Sequence, residues 1–318
     1  MNSTLTFHDH KPRALSLHDA VVNGLSGKKK VIAPKFFYDQ RGSELFELIC
    51  AQPEYYPPII EQRMLIDNAQ EIAELTGSGR VLVEPGAGSA AKVRLLLKEL
   101  LPSAYVPMDI SFEHLKLAAS NLAHDFPWLP IHATCVDFTH SLPIPDIVPE
   151  GPKLFFFPGS SIGNFERNEA GDFLAMVRQA AGKEGMLLIG VDTKKNESIL
   201  NAAYNDEAGV TAEFNLNLVS RMRNELGINC DPDKFDHKAF YNTGAGRIEM
   251  YLVSNEKQTL ELNGHSFMLD EGESVHTENS YKYTPNEFLN LASINGFKPV
   301  QHWLDAEGLF AMYLFSAI

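Results

Sequence analysis

From Arg80 onward, short apolar runs alternate with amphipathic stretches. The runs at 80–84, 105–109, 130–136, 153–158 and 186–192 predict strands. Between them, stretches near 90–100, 112–124 and 167–182 carry apolar residues at helical spacing and predict helices. Such alternation predicts an α/β fold with a mostly parallel sheet covered on both faces. The run Leu154-Phe155-Phe156-Phe157 is apolar throughout, as a strand buried on both sides should be. After Asp192 the pattern changes. Residues 196–226 read as long helical segments, 246–254 and 258–268 as alternating strands, and 280–284 as a strand or loop. A helix over 285–295, closed by Gly296, and a strand over 309–316 then restore the first pattern. Upstream, 36–75 reads as helical but is broken at Pro53-Glu54-Tyr55-Tyr56-Pro57-Pro58. Residues 1–30 read as a polar, loosely packed arm with one short helix near 15–25. The expected division is a core over 61–195 plus 286–318 and a second lobe over 1–60 plus 196–285.

Charge narrows the partners. With 27 basic and 41 acidic side chains among 318 residues, the net charge is −14. A surface so acidic disfavours nucleic acid and anionic membranes. The three cysteines, Cys50, Cys135 and Cys230, are widely spaced and form no C-x-x-C pair, so neither a disulfide framework nor a cysteine zinc site is expected. The eleven histidines show no H-x-x-x-H spacing, and no metal is expected. No signal-peptide pattern opens the chain and no run of about 18 apolar residues occurs. A cytoplasmic monomer acting on a small molecule is the expectation.

The chemistry concentrates where the predicted strands end. Val81-Leu82-Val83-Glu84 leads into Pro85-Gly86-Ala87-Gly88, and Tyr105-Val106-Pro107-Met108 ends in Asp109. Strand, glycine loop, helix and strand make a nucleotide-binding unit, with Asp109 placed to hold ribose hydroxyls. Gly86-x-Gly88-x-x-Ala91 also fits a dinucleotide fingerprint, so a nicotinamide oxidoreductase is one reading. Glu84 argues against it, because a carboxylate at the strand tip repels a pyrophosphate and suits an ammonium. Asp137 and Phe138 end the third run, where an acid and an aromatic ring can hold an adenine. Together Glu84, Gly86, Gly88, Asp109 and Asp137 resemble the motif set of class I S-adenosylmethionine methyltransferases. Without such a ligand, Asp109 and Asp137 would be plain helix caps.

Longer motifs sharpen the resemblance. They are Phe37-Tyr38-Asp39-Gln40-Arg41-Gly42-Ser43-Glu44, Pro53-Glu54-Tyr55-Tyr56-Pro57, Gly159-Ser160-Ser161-Ile162-Gly163-Asn164-Phe165, Ala203-Tyr204-Asn205-Asp206 and Glu278-Asn279-Ser280-Tyr281-Lys282-Tyr283. From about Leu15 to Phe315 the chain resembles the histidine-specific S-adenosylmethionine-dependent methyltransferases of ergothioneine biosynthesis. The resemblance implies a Rossmann-like core, a substrate lobe, and trimethylation of the α-amino group of L-histidine to hercynine. It implies that Asn164 and Tyr204 hold the substrate carboxylate and Cα region. Tyr56, Glu278 and Ser280 would bind the imidazole, with Tyr38 near the amine. Gly86, Lys92, Asp109 and Asp137 would contact the cofactor, S-adenosyl-L-methionine. Glu278 and Ser280 are two apart, so on an extended segment they share a face, as an acceptor and a hydroxyl for two ring nitrogens. Alternatives are an N-methyltransferase acting on another aromatic amino acid or amine, and a non-catalytic binding protein.

Overall fold

The computed structural model describes residues 5–10 and 16–318. The chain separates into two compact units, one holding 59–193 and 283–318 with the N-terminal strand, the other holding residues up to 58 and 194–282.

The first unit is built on an eight-stranded sheet. Its strands run in the spatial order Leu5–Asp9, Ile131–Cys135, Ala104–Asp109, Val81–Pro85, Lys153–Phe157, Met186–Asp192, Phe310–Ala317, Phe297–Leu304. The first six are parallel, Phe310–Ala317 runs against them, and Phe297–Leu304, antiparallel to it, returns to their direction; the sheet is Rossmann-like with an added parallel strand on one edge. Val81–Pro85, Ile131–Cys135 and Met186–Asp192 are buried at every position, which is why they read as continuous apolar runs. Helix Pro57–Thr76 buries Met64, Leu65, Ala69 and Ile72 in this core. The chain leaves Val81–Pro85 toward Ala104–Asp109 on one side and later returns as Lys153–Phe157 on the other. Strand order therefore reverses at Val81–Pro85, and open α/β sheets bind ligands at such a point.

Two expectations change in this unit, and one strand appears where none was expected. Residues 5–9 are not part of a loose arm of the second lobe. They form a strand parallel to Ile131–Cys135, where Thr6 Oγ1 lies 2.8 Å from His132 Nδ1. The helix expected at 90–100 is broken into a 3-10 turn at Val93–Leu95 and one turn at Leu97–Leu100, so Lys92 precedes the helix rather than sitting in it. Phe297–Leu304 is a strand despite Pro299, because it lies on the sheet edge and its register slips between Pro299 and Gln301.

The second unit has its own apolar core, a four-stranded sheet and a hairpin. The sheet order is Lys30–Val31, Ser274–Tyr281, Arg247–Ser254, Phe235–Asn242. The stretch expected as one strand at 258–268 is the hairpin Gln258–Leu262 and His265–Leu269, turning at Asn263 and Gly264. Asn263 has φ 47 and Gly264 φ 85, the left-handed values a tight hairpin turn needs. Helices Leu17–Ser26, Gln40–Cys50 and Val210–Leu226 pack residues such as Val21, Leu45 and Leu218 into the same core. Ser16 caps the first of these by accepting the Asp19 N–H, and Asp39 caps the second by accepting the Gly42 N–H.

Candidate active site

In the first unit, Glu84, Asp109 and Asp137 come from the carboxyl ends of three adjacent parallel strands. Glu84 is buried, and the Tyr105 hydroxyl donates to it. Burial pushes its carboxyl from 4.5 up to about 8, with the Tyr105 hydrogen bond opposing the shift. Asp109 accepts the Gly88 N–H at 3.1 Å and the Ser111 N–H at 2.9 Å, which ties the glycine loop to the next strand. Burial raises the Asp109 carboxyl too. Gly86 has φ 70, and a Cβ there would stand 3.3 Å from the Phe138 ring. Glycine is needed at that position for the turn and for the approach of the ring. Asp137 accepts the Thr139 N–H at 3.1 Å, so it also shapes its own loop.

These groups fit an adenosyl amino acid. Glu84 is a buried acid suited to a cation, Asp109 is an acid at the end of the adjacent strand, chemically suited to sugar hydroxyls, and Phe138 offers an apolar ring face beside the loop. A cationic ligand end would let Glu84 ionise and expel its proton. Affinity for S-adenosylhomocysteine is therefore expected to rise from pH 6 to about 8, where the ligand's own amino group begins to lose its charge. Calorimetry in buffers of different ionisation enthalpy should show proton release at pH 7 that Glu84→Gln abolishes. Unchanged proton release in that variant would remove the assignment.

In the second unit, Tyr38, Phe46, Tyr55 and Tyr204 make a chain of edge-to-face rings, with centroids 5.6, 6.4 and 6.0 Å apart. Tyr38 follows the turn Pro34–Phe37, and Gly42 lets the next helix start against that turn. A Cβ at Gly42 would lie 1.7 Å from the Phe37 carbonyl oxygen. The Tyr56 hydroxyl accepts a hydrogen bond from Lys195, whose Nζ also stands 4.4 Å from the Tyr56 ring centre.

Strand Ser274–Tyr281 supplies the polar end. Val275 pairs with Leu252 and His276 with Tyr251. The register then slips, so that Glu278 pairs with Met250 and Ser280 with Ile248. Paired residues share a face. Ile248, Met250 and Leu252 belong to the apolar core. The bulge at Thr277 therefore moves Glu278 and Ser280 onto the apolar face, away from the face of His276. Re-aiming side chains is what bulges do beside functional sites. Glu278 is buried, and burial lifts its carboxyl from 4.5 to about 7 against the opposing charge of Lys282. Tyr204 donates to Ser280 Oγ at 2.9 Å. Burial, then the neighbouring Tyr204, Cys50, Glu278 and Tyr38, pushes the Tyr55 hydroxyl up, which sets these groups in one neighbourhood.

The family model for histidine-specific, S-adenosylmethionine-dependent methyltransferases matches residues 17–317. The chain belongs to this family. It is 34% identical over 306 residues to the histidine N-alpha-methyltransferase of Mycobacterium tuberculosis, covering 94% of each chain. It is 29% identical over 276 residues to ergothioneine biosynthesis protein 1 of Neurospora crassa, covering 84% of this chain and 31% of that one. To the 4-dimethylallyltryptophan N-methyltransferase of Epichloe festucae var. lolii it is 28% identical over 318 residues, covering 91% and 92%.

Within this methyltransferase, Tyr38, Tyr204, Glu278 and Ser280 gather in the second unit, while Glu84, Gly86, Gly88, Asp109, Asp137 and Phe138 line the strand ends of the first. Asn164 ends the turn Ser161–Asn164 and is exposed; the cap of the following helix is Glu166, not Asn164. Lys92 is engaged by an acid that the sequence reading overlooked. Its Nζ donates to Glu61, which is 1% exposed and also accepts the Gly159 N–H through both oxygens at 2.8 and 2.9 Å. Glu61 thus ties the first glycine loop to the loop that leads to Asn164. A signal existed: Glu61 is in helical phase with the buried Met64, Leu65, Ala69 and Ile72.

Proposed function

We propose that this methyltransferase transfers methyl groups from S-adenosylmethionine to the α-amino nitrogen of L-histidine, three times in succession, giving hercynine. The observation that carries the proposal is the pair Glu278 and Ser280, turned by the bulge onto a buried face beside a wall of tyrosines. A carboxylate that accepts and a hydroxyl that donates match the two nitrogens of an imidazole. A site built on such paired contacts can reject a ring lacking the nitrogens by ~10⁴-fold.

The bound donor supplies an electrophilic methyl on a positively charged sulfur. The protein's task is to bring a neutral amine into line with it and to exclude water, and such positioning supplies roughly 7–11 kcal/mol. The amine must lose its proton before each transfer, because an ammonium has no lone pair. Successive methylation makes the nitrogen larger and removes its N–H groups. Tyrosine rings tolerate that growth, whereas a fixed carboxylate at the amine would demand an N–H that the product lacks. Asn164 is proposed to hold the carboxylate end and Tyr56 to pack against the ring, while the Tyr204 hydroxyl, whose single proton goes to Ser280, is proposed to support the ring-binding pair.

Labelled methyl donor with L-histidine should yield mono-, di- and trimethylhistidine in sequence. Turnover of another amine with no trimethylhistidine would remove the substrate. Methylation of tryptophan in preference to histidine would favour the second reading, which the relative named as a 4-dimethylallyltryptophan N-methyltransferase keeps in play. Histamine should be a poor substrate, since it lacks the carboxylate.

A further inference from the structure

Lys282 is among the most deeply buried side chains of the second unit, at 1% exposure. Its Nζ donates to Ser280 Oγ at 2.9 Å and to Tyr204 Oη at 3.3 Å, and it stands 5.1 Å from the centre of the Tyr204 ring. Tyr204 Oη in turn donates to Ser280 Oγ at 2.9 Å. An ammonium can only donate, whereas a serine hydroxyl accepts two hydrogen bonds and donates one. Ser280 therefore receives from Lys282 and from Tyr204, which fills both of its lone pairs. Its own proton is directed to a third partner. Glu278, on the same face two residues earlier, offers only acceptors when ionised.

We propose that Lys282 is a positioning residue that fixes the hydrogen-bond direction at Ser280, so that the site presents one acceptor at Glu278 and one donor at Ser280. Such a pair selects the neutral tautomer of a five-membered ring with one N–H and one bare nitrogen. It disfavours the imidazolium, whose second N–H would meet the Ser280 proton. It equally disfavours a pyrrole, which offers no acceptor. A buried lysine explains what the Glu278–Ser280 pair alone does not: without it, a hydroxyl rotates to accept or donate as the ligand requires. The inference rests on histidine being the substrate.

The test compares wild type, Lys282→Met, Ser280→Ala and the double variant, with L-histidine and with a pyrrolylalanine that keeps the N–H but has a CH in place of the bare nitrogen. Wild type is expected to prefer histidine by ~100-fold or more in kcat/KM. Lys282→Met should raise the KM for histidine ~10-fold with kcat changed less than about 3-fold, and should reduce the preference over the pyrrole by a similar factor. In the S280A background the same change should move KM by less than about 2-fold, because the effect passes through Ser280. An equal rise in KM with and without Ser280 would overturn the proposal, because it would reduce Lys282 to a structural part. A measurement on wild type needs no variant to fold. Histidine labelled with ¹⁵N in the ring, bound with S-adenosylhomocysteine, should show one protonated and one bare nitrogen at pH 7.5; two protonated nitrogens would overturn the proposal. If wild type makes no methylated histidine, the substrate reading fails and this inference with it. If it makes trimethylhistidine but shows either contrary result, this inference alone fails.

Discussion

Glu278→Gln is expected to make the ligand-free protein more stable at pH 8 while removing most of its activity on histidine. The folded carboxyl titrates at about 7 against an ordinary 4.5, because it is buried. Between those values the folded protein keeps the proton and the unfolded chain has lost it. Stability therefore falls as pH rises from about 4.5 to about 7 and is level above that. A shift of that size corresponds to about 3 kcal/mol above pH 7. Glutamine has the same shape and never ionises, so its melting temperature should match wild type at pH 4 and exceed it by several degrees at pH 8. Activity should move the other way. The ring N–H loses a charged acceptor, worth about 1.5–3 kcal/mol, and kcat/KM for histidine should fall by ~10- to 100-fold. Histidine should raise the melting temperature of wild type but not of the variant. A variant less stable than wild type at pH 8 would mean that the charge is well satisfied in the ligand-free protein.

Glu61 is the position where the largest structural loss is expected. It holds the Gly159 N–H and the Lys92 ammonium from a buried position. Glu61→Ala leaves a buried N–H and a partly buried cation without their acceptor, and breaking such a pair costs roughly 3–5 kcal/mol. Gly190→Ala should act on the same group from outside. A Cβ there would lie 1.9 Å from Glu61 Oε1, so the carboxylate must move, at a cost of roughly 1–3 kcal/mol. Both variants should lower the midpoint of urea unfolding, and both should weaken S-adenosylhomocysteine, because Lys92 and the Gly159 loop lose a common anchor. Gly190→Ala with wild-type stability and affinity would show that Glu61 has another resting place.

Much of the first unit was legible because burial on both faces writes itself as unbroken apolar runs. Glu84, Asp109 and Asp137 stood out as acids ending those runs, where a parallel sheet opens to ligands. Glu278 and Ser280 could be put on one face from their spacing of two. Which face that was could not be read, since the bulge at Thr277 reverses the phase of the strand and leaves no mark in the alternation. Lys282 was opaque for a related reason: a lysine two residues past a serine reads as a solvated edge residue until the hydroxyls around it are seen. Edge strands gave weak signals. Pro299 hid Phe297–Leu304, and Phe235–Asn242 is buried only at Phe235 and Tyr241, too sparsely for period-two alternation to show. The strand Leu5–Asp9 was missed because it is half-buried and polar, drawing its order from the ladder with Ile131–Cys135 rather than from an apolar face.

A crystal structure of the protein with L-histidine and S-adenosylhomocysteine tests most directly whether Glu278 and Ser280 recognise the substrate ring. One ring nitrogen should lie about 2.7–3.2 Å from a Glu278 oxygen and the other at the same distance from Ser280 Oγ. Histidine bound with its ring away from both side chains, or with its carboxylate against Lys282 and Ser280, would contradict the account.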